Sequence, residues 1–169
     1  MDSNVFIVAH KFLPQPDDDL VLYLNTAKKG NVLHITHSFS DAADRISACL
    51  WYKNGVIYRK WKTKDYRKFP ETLIYLKEFV FTTSCLIRTG LIWDEGICMD
   101  GLCTFFGLFL RYIGRTKKII YWAMDFVPES RFGSGIKNCF YRIFTESFNY
   151  RNKITVRRNK NYSFYERIV

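Results

Sequence analysis

The chain has 169 residues, enough for the core of a single domain, and its 48% hydrophobic and 18% aromatic content excludes a disordered protein. Twenty-six lysines and arginines outnumber sixteen acidic residues, which gives a formal net charge of +10. This charge predicts an anionic partner of one of three kinds: phospholipid headgroups, nucleotides or nucleic acid.

Cysteine usage and hydropathy predict a cytoplasmic protein. The five cysteines form no Cys-x-x-Cys pair and lie in apolar surroundings, which is typical of buried, reduced thiols. The chain does not open with a charged segment followed by an apolar one, so we expect no secretory signal. Its longest uncharged runs reach about ten residues, half of what a membrane span needs, so we expect no crossing of a membrane.

In the first half of the chain, residues 5–9 (VFIVA) predict a first, central strand. The stretch DDDLVLYLNTAKKG then predicts a helix, with acids at its start and Gly30 in the left-handed position after its end. Its apolar stripe is formed by Leu20, Val21, Leu24 and Ala27. Residues 31–39 predict a second strand, and residues 46–61 predict a β-hairpin around Asn54-Gly55, a pair that favours a type I′ turn.

The second half alternates helices with strands. Pro70 opens a long predicted helix that ends at Gly90 and carries one apolar face, formed by Leu73, Leu76, Val80 and Ile87. A short strand follows at residues 91–99, then a helix that ends at Gly114 and is lined by Leu102, Phe105, Phe106, Phe109 and Ile113. Residues 118–124 predict a further strand, and a last helix is marked by Ile136, Phe140 and Ile143.

This order predicts a Rossmann-like α/β fold over residues 1–147, with a largely parallel sheet, helices on both faces and one hairpin insertion. Such folds bind ligands beyond the carboxyl ends of the strands, near the point where the strand order reverses. Residues 148–169 form a basic tail with a net charge of +5. This tail is compatible with an extra strand pair, a linker or a disordered arm.

Polar residues follow three of the predicted strands: His10-Lys11, Asp100-Gly101 and Asp125. In a parallel sheet these positions meet at one edge, which makes them candidates for a common site. Each also has a purely structural interpretation. Asp125 suits a turn, Asp100 suits the N-cap of the following helix, and His10 suits a loop histidine with a satisfied hydrogen bond.

Several familiar sites are not supported by the sequence. His34 and His37 are three residues apart in a predicted strand and therefore point to opposite faces, so we expect no shared metal ion and assign no metal ligand. Patterns of the forms GxGxxG, GxxxxGK[ST] and GxSxG are absent from the sequence. A dinucleotide site of the usual kind is therefore not predicted.

Aromatic and basic residues alternate around the hairpin and the segment that follows it. Lys60, Lys62, Arg67 and Lys68 are the candidate anion-binding residues of this region. Tryptophan, tyrosine and lysine together are typical of a surface that contacts anionic lipid, and also of one that stacks on single-stranded nucleic acid. A solvated hairpin with its aromatic side chains in the core is the third interpretation.

Two longer stretches carry a family resemblance. MDGLCTFFGLFLRYIGRTKKIIYWAMDFVPESRF and VFIVAHKFLPQPDDDLVLYLNTAKKGNVLHITHSFSD resemble the amino-terminal half of a group 1 (family 4) glycosyltransferase of the GT-B fold, over about residues 4–145. The resemblance implies a domain that binds a lipid-linked or cell-envelope glycan acceptor and faces a donor-binding domain across a cleft, without a bound metal. It also implies that Asp125 lies near the reacting sugar and orients or deprotonates the acceptor hydroxyl. The acceptor side would be lined by the loop from His10 and Lys11 to Asp17, together with Asp100 and Gly101.

The sequence departs from this family in two places. HKFLPQP stands where many such enzymes have a glycine pair, and the chain ends where the donor-binding domain is expected. We therefore expect no tightly bound cofactor. We expect a nucleotide-sugar donor to bind only when a separate donor-binding domain or subunit is present, and we expect no sugar transfer by this chain alone. The expected location is the cytoplasm, peripheral to the inner face of the membrane.

Two alternatives come from other classes of protein. The first is a non-catalytic basic module that binds an anionic membrane surface or nucleic acid. Of these two partners, nucleic acid is the less expected. The second is a complete small enzyme, which is disfavoured because the sequence shows no nucleophile–base pair and no set of metal ligands.

Overall fold

The computed structural model describes residues 3–11, 16–27, 30–38, 44–123, 155–158 and 165–168. Within these residues the chain forms eight strands and three α-helices: β1 Ser3–Lys11, α1 Pro16–Ala27, β2 Gly30–Ser38, β3 Ser47–Lys53, β4 Val56–Lys62, α2 Glu71–Arg88, β5 Trp93–Cys98, α3 Gly101–Tyr112, β6 Thr116–Ala123, β7 Thr155–Arg158 and β8 Tyr165–Ile168. Asp125 and the helix expected near Phe140 lie outside the described residues.

The strands form one sheet in the order β4-β3-β2-β1-β5-β6-β8-β7. Its four central strands, β2, β1, β5 and β6, are parallel, and an antiparallel strand pair extends the sheet at each edge. The predicted Rossmann-like α/β fold is therefore confirmed, with a mixed sheet that is parallel at its centre. Strands β7 and β8 come from the basic tail, so the strand-pair interpretation of that segment is the one observed.

Helices cover both faces of the sheet, and each face has its own apolar core. Because side chains alternate along a strand, Phe6 and Val8 face α2 and α3, whereas Val5 and Ile7 face α1. The four cysteines in the described residues, at positions 49, 85, 98 and 103, are free and buried, as predicted. No helix in the described part of the chain is long and apolar enough to cross a membrane.

The β-hairpin prediction is confirmed in detail. Asn54 and Gly55 both have positive φ, 50° and 79°, as a type I′ turn requires. The hairpin strands β3 and β4 pair with each other, and β3 pairs antiparallel with β2. The hairpin is thus an edge extension of the sheet rather than a separate unit.

Gly30 does not cap α1 as predicted. Helix α1 ends at Ala27, and Gly30 is instead the first residue of β2, with φ of 148°. An added Cβ there would lie 2.3 Å from the carbonyl oxygen of Ser3, so the residue has to be glycine for the two backbones to meet. By contrast, α2 ends just before Gly90 as predicted, and Gly90 is in the left-handed conformation, with φ of 69°.

The apolar face predicted for α2 is not its buried face. Leu73, Leu76, Val80 and Ile87 are exposed, whereas the residues that face the sheet are Ile74, Glu78, Thr82, Cys85 and Leu86. The helix is oriented so that its two polar inner residues, Glu78 and Thr82, reach buried histidines of the sheet. In α3 the predicted stripe is correct for Phe106 but wrong for Phe105 and Ile113, which are exposed.

Candidate functional site at the carboxyl edge of the sheet

The site lies where the order of the parallel strands reverses. The chain passes from β1 to its neighbour β2, but it later returns to the other side of β1 with β5 and β6. His10 lies near the carboxyl end of β1, and Asp100 follows the carboxyl end of β5. In open α/β sheets this crevice is the usual position of a ligand.

His10 lies between two carboxylates. Its Nδ1 is 2.7 Å from Oδ2 of Asp100, and its Nε2 is 3.1 Å from Oε2 of Glu78. Both ring nitrogens can donate only when the ring is protonated. Burial by itself lowers the pKa of His10, but the two carboxylates outweigh it and raise that pKa to about 10. The ring is therefore an imidazolium at neutral pH.

Asp100 has two roles that the sequence presented as alternatives. Its Oδ1 accepts a hydrogen bond from the backbone N–H of Cys103 at 2.8 Å, so it is the N-cap of α3 as predicted. Its other oxygen binds His10. Burial raises the pKa of the Asp100 carboxyl, but the adjacent imidazolium and the cap hydrogen bond hold it well below its usual range. The group is an oriented, ionised carboxylate.

Glu78 is the site residue that reasoning from the sequence missed. It lies in the middle of α2, is 1% exposed, and approaches the amine of Lys77 to 3.9 Å on the side away from His10. The available signal was its spacing, because Ile74, Glu78 and Thr82 share one face of the helix at intervals of four residues. The sequence instead predicted that the outer face of α2 is buried, because its residues are more apolar.

His37 forms a second layer beneath the site. Its ring centroid is 5.4 Å from that of His10, and its nitrogens lie 2.8 Å from Oγ of Ser47 and 2.9 Å from Oγ1 of Thr82. Complete burial, together with the charge on His10, holds the pKa of His37 well below its usual range. The neutral ring of His37 thus lies next to the charged ring of His10. The thiol of Cys103 is also near, 3.5 Å from Nδ1 of His10, and burial raises its pKa, so it is not a thiolate.

His34 lies on the opposite face of the sheet from His37, as expected for residues three apart in a strand. Its Nε2 is 2.8 Å from Oδ2 of Asp17, a buried residue at the start of α1. The contact between His34 and Asp17 and the contact between His10 and Asp100 are both shorter than the roughly 3.3 Å that separates two ligands of one tetrahedral zinc ion. In this structure each histidine and its aspartate therefore form a hydrogen-bonded pair.

Replacement of Asp17 by alanine is expected to lower the free energy of unfolding by about 1–3 kcal/mol, because Nε2 of the buried His34 loses its partner. The matched control is Asp19→Ala, which removes an exposed carboxylate from the same helical turn and should change stability by less than about 0.5 kcal/mol. Urea unfolding measures both. Equal effects of the two substitutions would show that the buried pair contributes no stability.

The other candidate residues are more dispersed. Lys11 is exposed at the end of β1, and Gly101 begins α3 beside Asp100. Lys60 and Lys62 are exposed on the same face of β4, which three strand spacings separate from β1, a distance of roughly 14 Å. The structure therefore does not bring these two lysines to the His10 site.

Arg67 and Lys68 lie on the loop before α2, and the Nε of Arg67 is 2.5 Å from Oδ2 of Asp65. The aromatic residues of the hairpin divide between two of the predicted environments. Trp51 is buried in the core, whereas Tyr58 is exposed beside the amine of Lys53, which lies 4.5 Å from its ring centroid. Arg59 also lies over the ring of Tyr58, at 5.3 Å, so basic side chains flank the exposed aromatic residue of the hairpin.

Asp125, the catalytic candidate, lies outside the described residues, whereas His10 and Asp100 are in direct contact. No family model matches this chain, and neither a curated protein nor a solved structure matches it.

Proposed function

We propose that this chain is the acceptor-binding half of a glycosyltransferase, which holds a hydroxyl group of a lipid-linked or cell-envelope glycan at the carboxyl edge of the sheet. The observation that carries the proposal is the contact between His10 and Asp100 at the reversal point of the strand order. The family resemblance of residues 4–145 supports it.

Asp100 is well suited to bind a sugar hydroxyl. A third of its side chain is exposed, whereas Glu78 is sealed behind His10. A carboxylate accepts about four hydrogen bonds, and Asp100 receives them from the His10 ring and from the N–H and the thiol of Cys103. These donors fix the orientation of the carboxylate, and about one lone pair remains for a hydroxyl donor.

The same geometry makes His10 and Asp100 poor bases. With a pKa of about 10, His10 already carries its proton at neutral pH, and the pKa of Asp100 lies below its usual range. These two residues therefore bind a hydroxyl group without deprotonating it. The proposed proton acceptor is Asp125, and the proposed donor is a nucleotide sugar held by a separate domain or subunit. Transfer needs both halves in one closed site.

Simple glycosides test the acceptor site directly. Methyl α-glucoside, methyl α-mannoside, methyl β-galactoside and N-acetylglucosamine are titrated into labelled protein, and backbone amide shifts are followed by NMR. At least one sugar is expected to shift the amides of residues 10–11 and 100–103. Asp100→Asn should weaken this binding about tenfold, because asparagine preserves the N-cap and removes the charge.

Asp94→Asn is the matched control. Asp94 is at the amino end of β5, and its side chain is 34% exposed, against 33% for Asp100. Its substitution should leave the glycoside shifts unchanged. Absence of binding by all four sugars, or equal binding by Asp100→Asn, would contradict an acceptor site here. Turnover of several nucleotide sugars by this chain alone would contradict the proposed division into two halves.

A second candidate function is a basic binding module that does not catalyse a reaction. It is favoured by Lys60 and Lys62, which present two exposed ammonium groups on one face of an edge strand in a chain of net charge +10. If the anionic partner were nucleic acid, affinity would fall steeply with added salt, dominated by the basic residues of the segment 151–160. Glycoside shifts at Asp100 that persist when the lysines and arginines of the segment 151–160 are replaced by glutamine would favour the transferase half.

A further inference from the structure

The outward face of α2 is apolar along nearly its whole length. Between Thr72 and Ile87, every residue that the structure leaves exposed is uncharged. Four large apolar side chains dominate this face and are called here the outer stripe: Leu73 (47% exposed), Leu76 (56%), Val80 (53%) and Ile87 (44%). Phe105 of α3, also exposed, lies beside it, because its ring centroid is 6.4 Å from that of Phe79.

This arrangement reverses the usual polarity of a surface helix, which turns its charged residues to water and its apolar residues to the core. In α2 the inner face contains Glu78 and Thr82, which bind His10 and His37. Lys77 is also turned inward and donates to the carbonyl of Arg45. An apolar stripe of this extent on the exposed side of a helix marks a docking surface.

Basic residues lie at both ends of the outer stripe, and two carboxylates, Asp65 and Glu71, share its amino-terminal end. Arg67 and Lys68 precede the helix, beside the exposed ring of Phe69, and Arg88 follows Ile87 at the other end. Part of the charge of Arg67 is compensated by Asp65, and Glu71 accepts a hydrogen bond from Tyr75. The helix has 18 residues and is about 27 Å long, so the outer stripe is a long apolar strip with basic residues at each end.

We propose that the outer stripe of α2 docks on an anionic lipid bilayer, with its apolar side chains at the level of the headgroups and the basic side chains of Arg67, Lys68 and Arg88 on acidic lipids. Charge selects this occupant over a second copy of the chain. Each copy carries a net charge of +10, which opposes the close approach of two copies and favours an anionic surface. The docking surface does not depend on the proposed sugar transfer.

Vesicle co-sedimentation tests the proposal with two lipid compositions, pure phosphatidylcholine and phosphatidylcholine with about 30% phosphatidylglycerol. The full chain is expected to bind the anionic vesicles and not the neutral ones. Leu76→Glu should weaken binding at least about tenfold, because a charged group replaces an inserted leucine. The matched control is Leu22→Glu on α1, a leucine that is 65% exposed on the other face of the sheet and should bind within about twofold of wild type.

Three kinds of result would overturn the proposal. The first is a binding result: the wild-type chain fails to bind anionic vesicles, or both leucine variants lose binding equally. The second is a clear fall in the melting temperature of Leu76→Glu alone, which would mean that another part of this chain covers the stripe. The third is self-association of the wild-type chain in sedimentation experiments without lipid that Leu76→Glu abolishes, which would assign the stripe to a second copy.

Discussion

The substitution Gly96→Ala is expected to destabilise the folded protein by about 3 kcal/mol, because it forces a methyl group into the ring of Phe6. An alanine Cβ at this position would lie 2.1 Å from Cζ of Phe6 and 2.5 Å from its Cε1. The ring is confined, since Phe6 is fully buried and packs edge-on against Trp93 with centroids 6.1 Å apart. Urea unfolding of the two proteins measures the difference.

Two further variants separate the steric effect from a general effect of replacing glycine. Gly101→Ala adds a methyl group that has no atom within 4 Å, so it should be neutral or slightly stabilising. In the background of Phe6→Leu the smaller side chain leaves room, and Gly96→Ala should then cost less than about 1 kcal/mol. A cost that is the same in both backgrounds would show that the ring of Phe6 is not the cause.

This contact also explains how the candidate site is held together. Phe6 and Gly96 are partners in the register of β1 and β5, the two strands that lead to His10 and Asp100. The absence of a side chain at Gly96 lets the ring of Phe6 lie over β5. The packing of the core and the geometry of the site are therefore parts of one strand pair.

The stability of the wild-type protein is expected to fall by about 2 kcal/mol between pH 6.5 and about pH 8.5, and His10→Gln should abolish most of this fall. His10 has a pKa of about 10 in the folded protein and about 6.5 when unfolded, so its contribution is complete below pH 6.5. Above that value the unfolded chain releases the proton and the folded protein keeps it, and stability decreases as pH rises. Urea unfolding at intervals of half a pH unit measures the slope.

His37 has the opposite effect on stability, because its pKa is lowered by folding. Below about pH 6.5 the unfolded chain binds a proton at this position and the folded protein does not, so stability rises with pH up to that point. The two adjacent histidines together predict a stability maximum near neutral pH. A slope above pH 6.5 that is unchanged in His10→Gln would show that His10 is not held as an imidazolium. Asp94→Asn, at the far end of β5, serves as the control that should keep the wild-type slope.

Features that depend on a few neighbouring residues could be predicted from the sequence. Asn54-Gly55 specifies its turn because few other residue pairs adopt positive φ twice in succession. Asp100 caps α3 because the backbone N–H that it binds, that of Cys103, is only three residues away in the chain. The positions of His10 and Asp100 after apolar strands predicted a common edge, because parallel strands end on the same side of a sheet.

The strand order, the partner Glu78 and the exposed face of α2 were decided only by the tertiary structure. Helical periodicity identifies the residues that share a face, but it does not say which face will be buried. In α2 the choice depended on His10 and His37, which are 68 and 45 residues away from their partners in the helix. Burial of two polar rings requires hydrogen-bonding partners, and this requirement outweighed the more apolar face of the helix. Local sequence thus determined the elements and their ends, and long-range pairing of polar groups determined how they face one another.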